Sequence, residues 1–482
     1  MYPERRNPSA GTDNDYILIG TPGSTNIGSW DKSGILGHAR GMYAASWGTL
    51  YAVLGNTLWS MFDENTPSQY LGTIGAQAGQ AMAVFCDNGT DLAIAVDGQA
   101  FVSNRDTKDF VLLNIGGAST VVTPSHCAFL GGYIIWNNTF RDPSISDPPT
   151  NTVLYYSNLF DARTYDATLQ FFTAEDSADP VIALEVRSDQ LHTQGVRRYE
   201  TFILSTSVTT SNPDPFVRIG TSTVQMGLYA AYATDVHKDV LYFLGTTPKG
   251  GVGFYQHMGG FPQKISDPSF DHSFEQGGGQ DSVVFAYSMD GHDFVVVSSQ
   301  SLAMTMVWDN VEKKWHRRSW HETSTGNELS IEANCAASIN GIVYFGSRFS
   351  CRILKPSLNV YQEWDGTTIQ RIHTIPQLSE EYHGIVHRKV TLEFESGTGS
   401  DIPDGLTNTA NSPLITLEQS DNSGHVWNLA DSQPMGVDGN YGIAVIWWRR
   451  GYARNRQYRI RSNANVKQVW IAFYIETTSL KR

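Results

Sequence analysis

The chain has 482 residues, of which 40% are hydrophobic, 12% aromatic and only 17% charged, and it contains 44 glycines. This composition excludes wholesale disorder, and it favours short strands and tight turns over long helices. The formal net charge of −14, from 48 acidic and 34 basic residues, argues against a surface that binds phosphate backbones non-specifically.

The N-terminal segment, MYPERRNPSA, has no apolar core of the kind found in secretory signals. No stretch of the chain approaches the ~18 apolar residues that a membrane-spanning helix needs. We therefore expect a soluble chain that folds in a cytosol and has no membrane span. We expect residues 1–40 to form a separate segment that closes or docks the domain that follows.

Residues 41–372 repeat one kind of hairpin, in which alternating apolar runs flank a two-residue turn. The turns fall at Asp97-Gly98, Gly131-Gly132, Asp290-Gly291 and Asn340-Gly341. Such pairs accept the positive φ angles of a type I′ turn, which matches strand twist. Related runs occur in TLYAVLGNTLWSM, VIALEVRSDQL and DVLYFLGTTPKGGVGFY.

These runs recur without amphipathic helices between them, and further strand pairs such as MVWDNVEKKWHRRSW follow some of them. Repeated hairpin pairs of this kind are typical of propeller blades. We predict an all-β fold with a six- or seven-bladed β-propeller, seven being favoured. An irregular stack of β-sandwiches is the alternative.

The pattern changes after residue 372. In KVTLEFES, Val390, Leu392 and Phe394 share one face, and the polar residues share the other. A polar loop at 397–412 precedes four more strands, and in the last of them Val469, Ile471, Phe473 and Ile475 are expected on one face. We predict a C-terminal β-sandwich domain at 373–482.

The residues that could carry chemistry do not form a recognisable site. The four cysteines lack CxxC spacing and are expected to be small buried hydrophobes. His383 and His387 share a strand face but lie ~13 Å apart, too far for one metal ion. No HExxH, phosphate-binding glycine loop or GxSxG motif occurs. We therefore predict no enzymatic activity, no metal and no cofactor.

One stretch, SDNSGHVW at 420–427, is similar to the Asp-box of sialidase propellers, with Asn422 and Val426 replacing the usual residues. That box is a hairpin-turn device and not a catalytic element. It nevertheless keeps open an alternative function, a propeller that binds or depolymerises host-surface glycans.

The arginine-rich segment (Trp447–Arg461) has six arginines and no acid, and the rest of the chain has 28 basic against 48 acidic residues. In a strand over RQYRIRS, Arg456, Tyr458 and Ile460 would point one way and Arg459 and Arg461 the other, which argues against a one-sided nucleic-acid groove. A solvated face and a nucleic-acid contact remain alternatives. We favour a subunit or partner interface, because arginine pairs with carboxylates and stacks on aromatics. The proposed interface residues are Trp448, Arg449, Arg450, Arg454, Arg456, Arg459 and Arg461.

The chain resembles the packaged-DNA stabilisation proteins, the tail hub or nozzle subunits of short-tailed, podovirus-type bacteriophages. The resemblance rests on TPGSTNIGSWDKSG with ARGMYAASWGTLYAVLGNTLWSM, on PVIALEVRSDQLHTQGVRRYETFILS, and on WWRRGYARNRQYRIRSNANVKQVWIAFYIE. These motifs occur in the order expected for the family and cover most of the chain.

The resemblance implies a structural virion protein that is assembled in the host cytoplasm and located in the tail. It implies a homo-hexameric ring below the portal and its adaptor, which retains the packaged genome and lets it pass during ejection without sequence-specific DNA binding. The expected further partners are the tail needle and the fibres or spikes.

Overall fold

The computed structural model describes residues 1–5, 16–75, 81–116, 122–138, 152–174, 179–205, 214–220, 223–322, 324–381, 383–396, 413–436 and 441–480. Within these residues, regular structure is almost entirely β-strand. The exceptions are a 3₁₀ helix at Gly28–Trp30 and the α-helix α1 at Pro268–Glu275. Helix α1 begins here because the Asp267 side chain accepts a hydrogen bond from the Phe270 N–H and Pro268 occupies the first turn.

The strands follow one another in antiparallel sheets. Near the N-terminus lie β1 (Tyr2–Arg5), β2 (Tyr16–Ile19) and β3 (Gly23–Asn26). The next three sheets contain β4 (Ala39–Ala44), β5 (Leu50–Leu54), β6 (Thr57–Met61) and β7 (Gln69–Thr73); β8 (Val84–Asp87), β9 (Asp91–Val96), β10 (Gln99–Asn104) and β11 (Phe110–Leu113); and β12 (Cys127–Leu130), β13 (Tyr133–Trp136), β14 (Val153–Tyr156) and β15 (Phe171–Thr173).

Four further sheets continue the series. The first two contain β16 (Val181–Arg187), β17 (Gln190–Gly195), β18 (Tyr199–Leu204) and β19 (Phe216–Arg218); and β20 (Gly227–Leu228), β21 (Thr234–His237), β22 (Val240–Thr246), β23 (Val252–His257) and β24 (Gln263–Lys264). The third contains β25 (Val283–Met289), β26 (His292–Ser299), β27 (Met304–Asp309) and β28 (Lys314–Arg318), and it is followed by a separate pair, β29 (Trp320–His321) and β30 (Glu328–Leu329). The fourth contains β31 (Ala333–Ile339), β32 (Ile342–Ser347) and β33 (Ile353–Ser357), together with β3 from the N-terminal part of the chain.

The hairpin turns form where the sequence predicts them. Asp97, Asp290 and Asn340 have φ angles of 50°, 53° and 52°, and the glycine that follows each of them is also positive. Gly131 and Gly132 have φ angles of 58° and 96°. Each pair connects two strands in antiparallel register, so these four turns are confirmed.

Apolar side chains fill the space between neighbouring sheets. Leu58 of the first sheet packs in one buried cluster with Leu92 and Ile94 of the second. Leu50 of the first sheet shares another cluster with Tyr344 and Ile353 of the last, so the series closes on itself. This closure confirms the predicted β-propeller. Seven such sheets occur among the described residues, and we assign each of them to one blade.

The chain divides into two compact units, residues 26–307 with 330–355, and residues 1–25 with 308–329 and 356–482. Most strands of the closed series lie in the first unit, whereas β28 and most of β3 fall in the second. The boundaries placed at residues 40 and 372 from the sequence stay predictions. In the described part of the chain, no helix has the length and apolarity that crossing a bilayer requires.

The second unit contains β34 (Arg371–Thr374), β35 (Leu378–Ser379), β36 (Gly384–Phe394), β37 (Leu414–Ser420), β38 (Asn428–Pro434), β39 (Ala444–Ala453), β40 (Asn455–Ser462) and β41 (Val469–Leu480). One sheet has the order β1-β2-β41-β36-β39, and another has the order β34-β40-β37-β38, with β35 also pairing with β40. Buried side chains from both sheets share one core, as in a sandwich. The loop predicted at 397–412 lies outside the described residues.

The buried face predicted from the sequence is correct for β36 and incorrect for β41. Val390, Leu392 and Phe394 are buried in the core, as predicted. In β41, Phe473 and Ile475 pack against that core, but Trp470 replaces Val469 and Ile471 there. The single face predicted for all four residues is therefore wrong, because a register shift opposite Glu393 and Phe394 interrupts the alternation of β41.

Candidate interaction surface

The arginine-rich segment (Trp447–Arg461) forms the end of β39 and most of β40, which belong to different sheets of the second unit. In β40, Arg456, Tyr458 and Ile460 are buried, whereas Arg459 and Arg461 are partly exposed. The predicted alternation is therefore confirmed. This alternation places Arg456 in a buried environment and Arg459 and Arg461 in partly exposed ones.

Arg456 lies inside the unit, with only 3% of its surface exposed. Its Nε and Nη2 atoms bond both carboxylate oxygens of Asp421 at 2.6 and 2.7 Å. Its guanidinium also donates to the carbonyl oxygens of Arg450 and Tyr452. Burial alone would lower the pKa of Arg456, but Asp421 and Tyr458 together outweigh that effect and raise it. Arg456 is therefore held by its own unit.

Arg459 and Arg461 share one carboxylate. Arg459 Nε donates to Glu418 at 2.5 Å, and Arg461 Nη1 donates to the other oxygen of the same group at 3.2 Å. The Arg459 guanidinium also lies 4.3 Å from the Trp427 ring centroid, and Arg461 bonds Gln370 at 2.7 Å. Both guanidinium groups are thus bonded within the unit, although one carboxylate balances only one of the two charges and neither side chain is fully buried.

The remaining arginines differ. Arg449 and Arg454 are exposed, and neither forms a hydrogen bond or an ion pair with a described residue. Arg450 is partly buried, and its Nε and Nη1 atoms have no hydrogen-bond partner among the described residues. Arg449 also has a φ of 54°, which turns the end of β39. Arg449 and Arg454 are therefore available for an external contact.

Side chains on β39 and β41, the two neighbours of β36, form an exposed sheet face (Ile446, Trp448 and Tyr474). Trp448 is 61% exposed and Tyr474 is 55% exposed. In register, Trp448 lies opposite Lys389 of β36, and Thr391 lies between Ile446 and Tyr474. Successive residues of a strand point to opposite faces, so Trp447 turns into the core while Trp448 turns out. Exposed aromatic and unpaired arginine side chains on and next to one strand have the composition of protein interfaces.

The turn at Ser420–Trp427 anchors the arginine-rich segment. The Gly424 N–H donates to Ser420 Oγ at 2.9 Å, and the Val426 N–H donates to Asn422 Oδ1 at 2.9 Å. These bonds close the hairpin between β37 and β38, which makes the Asp-box-like stretch a turn device. Sequence reasoning missed that its Asp421 and Trp427 contact Arg456 and Arg459. The sequence signal for these contacts is that the arginine-rich segment contains six arginines and no acidic residue, so its acidic partners must come from elsewhere in the chain.

Candidate chemical groups are also buried. All four cysteines are buried and free, which confirms their expected role as small hydrophobes. Burial, with a smaller effect of Arg456, lowers the pKa of His387 to about 4. In the described ranges, no three His, Cys, Asp or Glu side chains gather into a group that could hold a metal ion.

A protein-family model described as bacteriophage P22 Gp10, beta-propeller, matches residues 11–351. No curated protein matches the chain significantly. Among solved structures, the extracellular domain of BT4673 from B. thetaiotaomicron is 11% identical with a TM-score of 0.44, and the alignment covers 79% of this chain and 45% of that one. The WD40 beta propeller domain of Doa1 is 12% identical with a TM-score of 0.41, over 70% of this chain and 97% of that one.

Proposed function

Since this chain belongs to the family of the bacteriophage P22 Gp10 β-propeller, we propose that it is a structural tail protein of a short-tailed phage. In this role it forms a homo-hexameric nozzle below the portal and its adaptor. The nozzle closes the DNA exit channel after packaging, opens for ejection, and carries the needle and the fibres or spikes. The function is mechanical, and no bond is made or broken.

The observation that carries this proposal is the family match over residues 11–351, which spans most of the propeller. A propeller with buried hairpins is a rigid body, and a ring of such bodies suits a tube that must withstand the pressure of packaged DNA. A nozzle below the portal would contact the portal adaptor, the needle and the fibres, which are therefore the expected partners.

The exposed sheet face supports assembly with a second copy of the chain. Exposed Trp448 and Arg449 follow one another in β39, and exposed Arg454 comes directly after that strand, so this part of the chain combines aromatic area with unpaired positive charge. Outside the arginine-rich segment, the chain has 28 basic and 48 acidic residues, so an identical neighbour offers a complementary surface. The proposed interface is therefore reduced from seven residues to four, namely Trp448, Arg449, Arg454 and the partly buried Arg450.

The same charge balance supports passage of DNA without tight binding. Phosphate affinity comes from available lysines and arginines. Arg456, Arg459 and Arg461 are already bonded to Asp421 and Glu418, which leaves fewer basic groups for a backbone. An excess of acid elsewhere would keep the moving genome from adhering.

Quantitative mass spectrometry of purified virions tests the proposal. We expect this chain at about half the copy number of the portal protein, as a six-fold ring below a twelve-fold portal requires. Absence from the particle would overturn the proposal. A fibre- or spike-like copy number, together with retention on host polysaccharide, would instead support the glycan-binding alternative.

A further inference from the structure

A cavity of about 430 Å³, the outer cavity, lies at one end of the propeller axis. Its wall includes His38, Met82, Tyr232, Val283 and Asn334, which lie at or close to the beginnings of β4, β8, β21, β25 and β31. These five strands contact their counterparts in neighbouring sheets. The outer cavity is therefore located where the innermost strands of five blades begin.

A second cavity, of about 290 Å³, lies between the innermost strands. It is lined by Glu185 and Asp235, among other residues. The two cavities share four residues of their walls, namely Met82, Tyr232, Val283 and Asn334. The outer cavity therefore continues the axial space towards the end of the propeller.

Arg348 directly follows β32, and it is the one lysine or arginine among the described residues that line the outer cavity. Its Nη1 atom donates a hydrogen bond to Ser330 Oγ at 2.8 Å, and its Nη2 atom donates to Ser298 Oγ at 2.9 Å. Its Nε atom is buried and has no hydrogen-bond partner among the described residues. The guanidinium is therefore held in place by uncharged groups, and part of its donor capacity is unused.

Asp281 also lines the outer cavity, but no ion pair joins it to Arg348. Its carboxylate accepts hydrogen bonds from the hydroxyls of Ser299 and Ser301 and from the backbone N–H groups of Gln300 and Ser301. Burial alone would raise the pKa of Asp281, but these bonds lower it. Asp281 is also exposed, so water screens its charge.

The charge of Arg348 is thus not neutralised by a bonded acid. Burial lowers the pKa of Arg348 to about 10, so the guanidinium is still protonated at neutral pH. A shielded positive charge without an ion pair is unfavourable, and a bound anion that accepts its free N–H groups would relieve this cost.

The rest of the wall combines neutral polar groups with apolar surface. The side chains of His38 and Gln300 form no hydrogen bond with a described residue. Burial, together with two nearby arginines, lowers the pKa of His38, so its imidazole is neutral at pH 7 and can donate one hydrogen bond. Met82 and Val283 supply apolar area. A few polar groups on an otherwise apolar wall are typical of small-molecule sites.

We propose that the outer cavity binds a small organic carboxylate, with the carboxylate on Arg348 and the carbon skeleton against Met82 and Val283. The cavity volume falls within the roughly 300–1,000 Å³ of small-molecule sites. A planar carboxylate matches the fork of the guanidinium. A singly charged ligand suits the site better than a phosphate dianion, because Asp281 places a negative charge on the same wall. This inference is independent of the proposed tail function.

NMR titration of the full-length protein with benzoate and with benzamide, at constant ionic strength, tests the proposal. The two probes have the same ring, and only benzoate is charged. We expect saturable binding of benzoate with a dissociation constant of about 1 mM, and at least tenfold weaker binding of benzamide. Arg348→Met should abolish the binding of benzoate. Arg348→Lys keeps the charge but not the planar fork, and it should weaken binding about threefold to tenfold.

Arg197→Met is the matched control. Arg197 lies in the turn after β17, the second strand of its sheet, as Arg348 lies after β32, but Arg197 is exposed and does not line the outer cavity. This variant should bind benzoate like the original protein. Absence of saturable benzoate binding to the original protein, or equal binding of benzamide, would overturn the proposal. Equal loss of binding in the Arg197 and Arg348 variants would overturn it as well.

Discussion

The guanidinium of Arg456 and the carboxylate of Asp421 form a two-pronged ion pair, with nitrogen–oxygen distances of 2.6 and 2.7 Å. Asp421 belongs to the Ser420–Trp427 turn, and Arg456 belongs to β40. The pair therefore connects the turn between β37 and β38 to β40, which belongs to the same sheet. It also shows that one arginine of the arginine-rich segment serves the fold of its own unit.

Arg456→Met should destabilise the second unit by about 2–4 kcal/mol. The substitution removes a buried donor group and leaves the carbonyls of Arg450 and Tyr452 without their bonds. The range extends down to about 2 kcal/mol because Asp421 is half exposed, so water can replace the bonds that its carboxylate loses. Hydrogen exchange of residues 444–462 would measure the loss.

Arg454→Met provides the control for that change, because Arg454 is exposed and has no described partner. It should alter the free energy of unfolding by no more than about 0.5 kcal/mol. Equal protection in the Arg456 and Arg454 variants would contradict the structural role of the ion pair.

Reversing the charge of both Arg449 and Arg454 to glutamate should weaken self-association at least tenfold, with the fold intact. These side chains are exposed, so the change adds repulsion toward an acidic neighbour without breaking an internal bond. Native mass spectrometry and sedimentation at two salt concentrations would measure it. An unchanged oligomer would remove these residues from the proposed interface.

Trp448→Ala should weaken association by about 2 kcal/mol, the size of effect typical of an aromatic hot spot. The side chain is largely exposed, so the free energy of unfolding should change little. Tyr441→Ala is the control, since Tyr441 is also exposed but lies outside β39 and the exposed sheet face. Equal effects of the two substitutions on association would contradict a specific role for Trp448.

The propeller could be predicted because its signals are local. Asp97-Gly98 and Asn340-Gly341 each specify a turn within two residues, and the alternating runs beside them specify strands. The register shift in β41 has no comparable local signal, because it depends on how β36 aligns with that strand.

The candidate sites were harder to predict because their partners are distant in sequence. The arginine-rich segment was visible as a charge run, but Asp421 lies 35 residues from Arg456. Glu185 and Asp235 read as ordinary polar residues of two separate hairpins. Only the closure of the sheets around one axis brings them to the same cavity.

Glycine-to-alanine substitutions at two turns should differ in cost. At Gly341, with a φ of 77°, an added Cβ meets nothing within 4 Å, so only backbone strain of about 1–2 kcal/mol is expected. At Gly131 the added Cβ would lie 1.9 Å from Leu204 Cδ1, so displacement of that side chain adds to the strain. Denaturant unfolding should rank Gly131→Ala as the more destabilising change, and the reverse order would contradict this packing.

The free energy of unfolding should fall as the pH rises from about 4 to about 7, because Asp235 loses its proton over this range. Above pH 7 the contribution of Asp235 should no longer change. The pKa of Asp235 is about 7 in the fold against 3.8 for an exposed aspartate, so the unfolded chain ionises first. The stabilisation is fully present below pH 3.8 and is lost as the pH passes through 7. A shift of this size corresponds to about 4 kcal/mol.

Denaturant unfolding at pH 5 and pH 8 in EDTA would measure this dependence. Asp235→Asn keeps the shape of the protonated carboxyl and should reduce the difference, with the contribution of buried Glu185 remaining, whereas exposed Asp189→Asn should preserve it. A stability that rises between pH 5 and pH 8 would mean that Glu185 and Asp235 ionise freely, and that the propeller does not shield these two carboxyls from water.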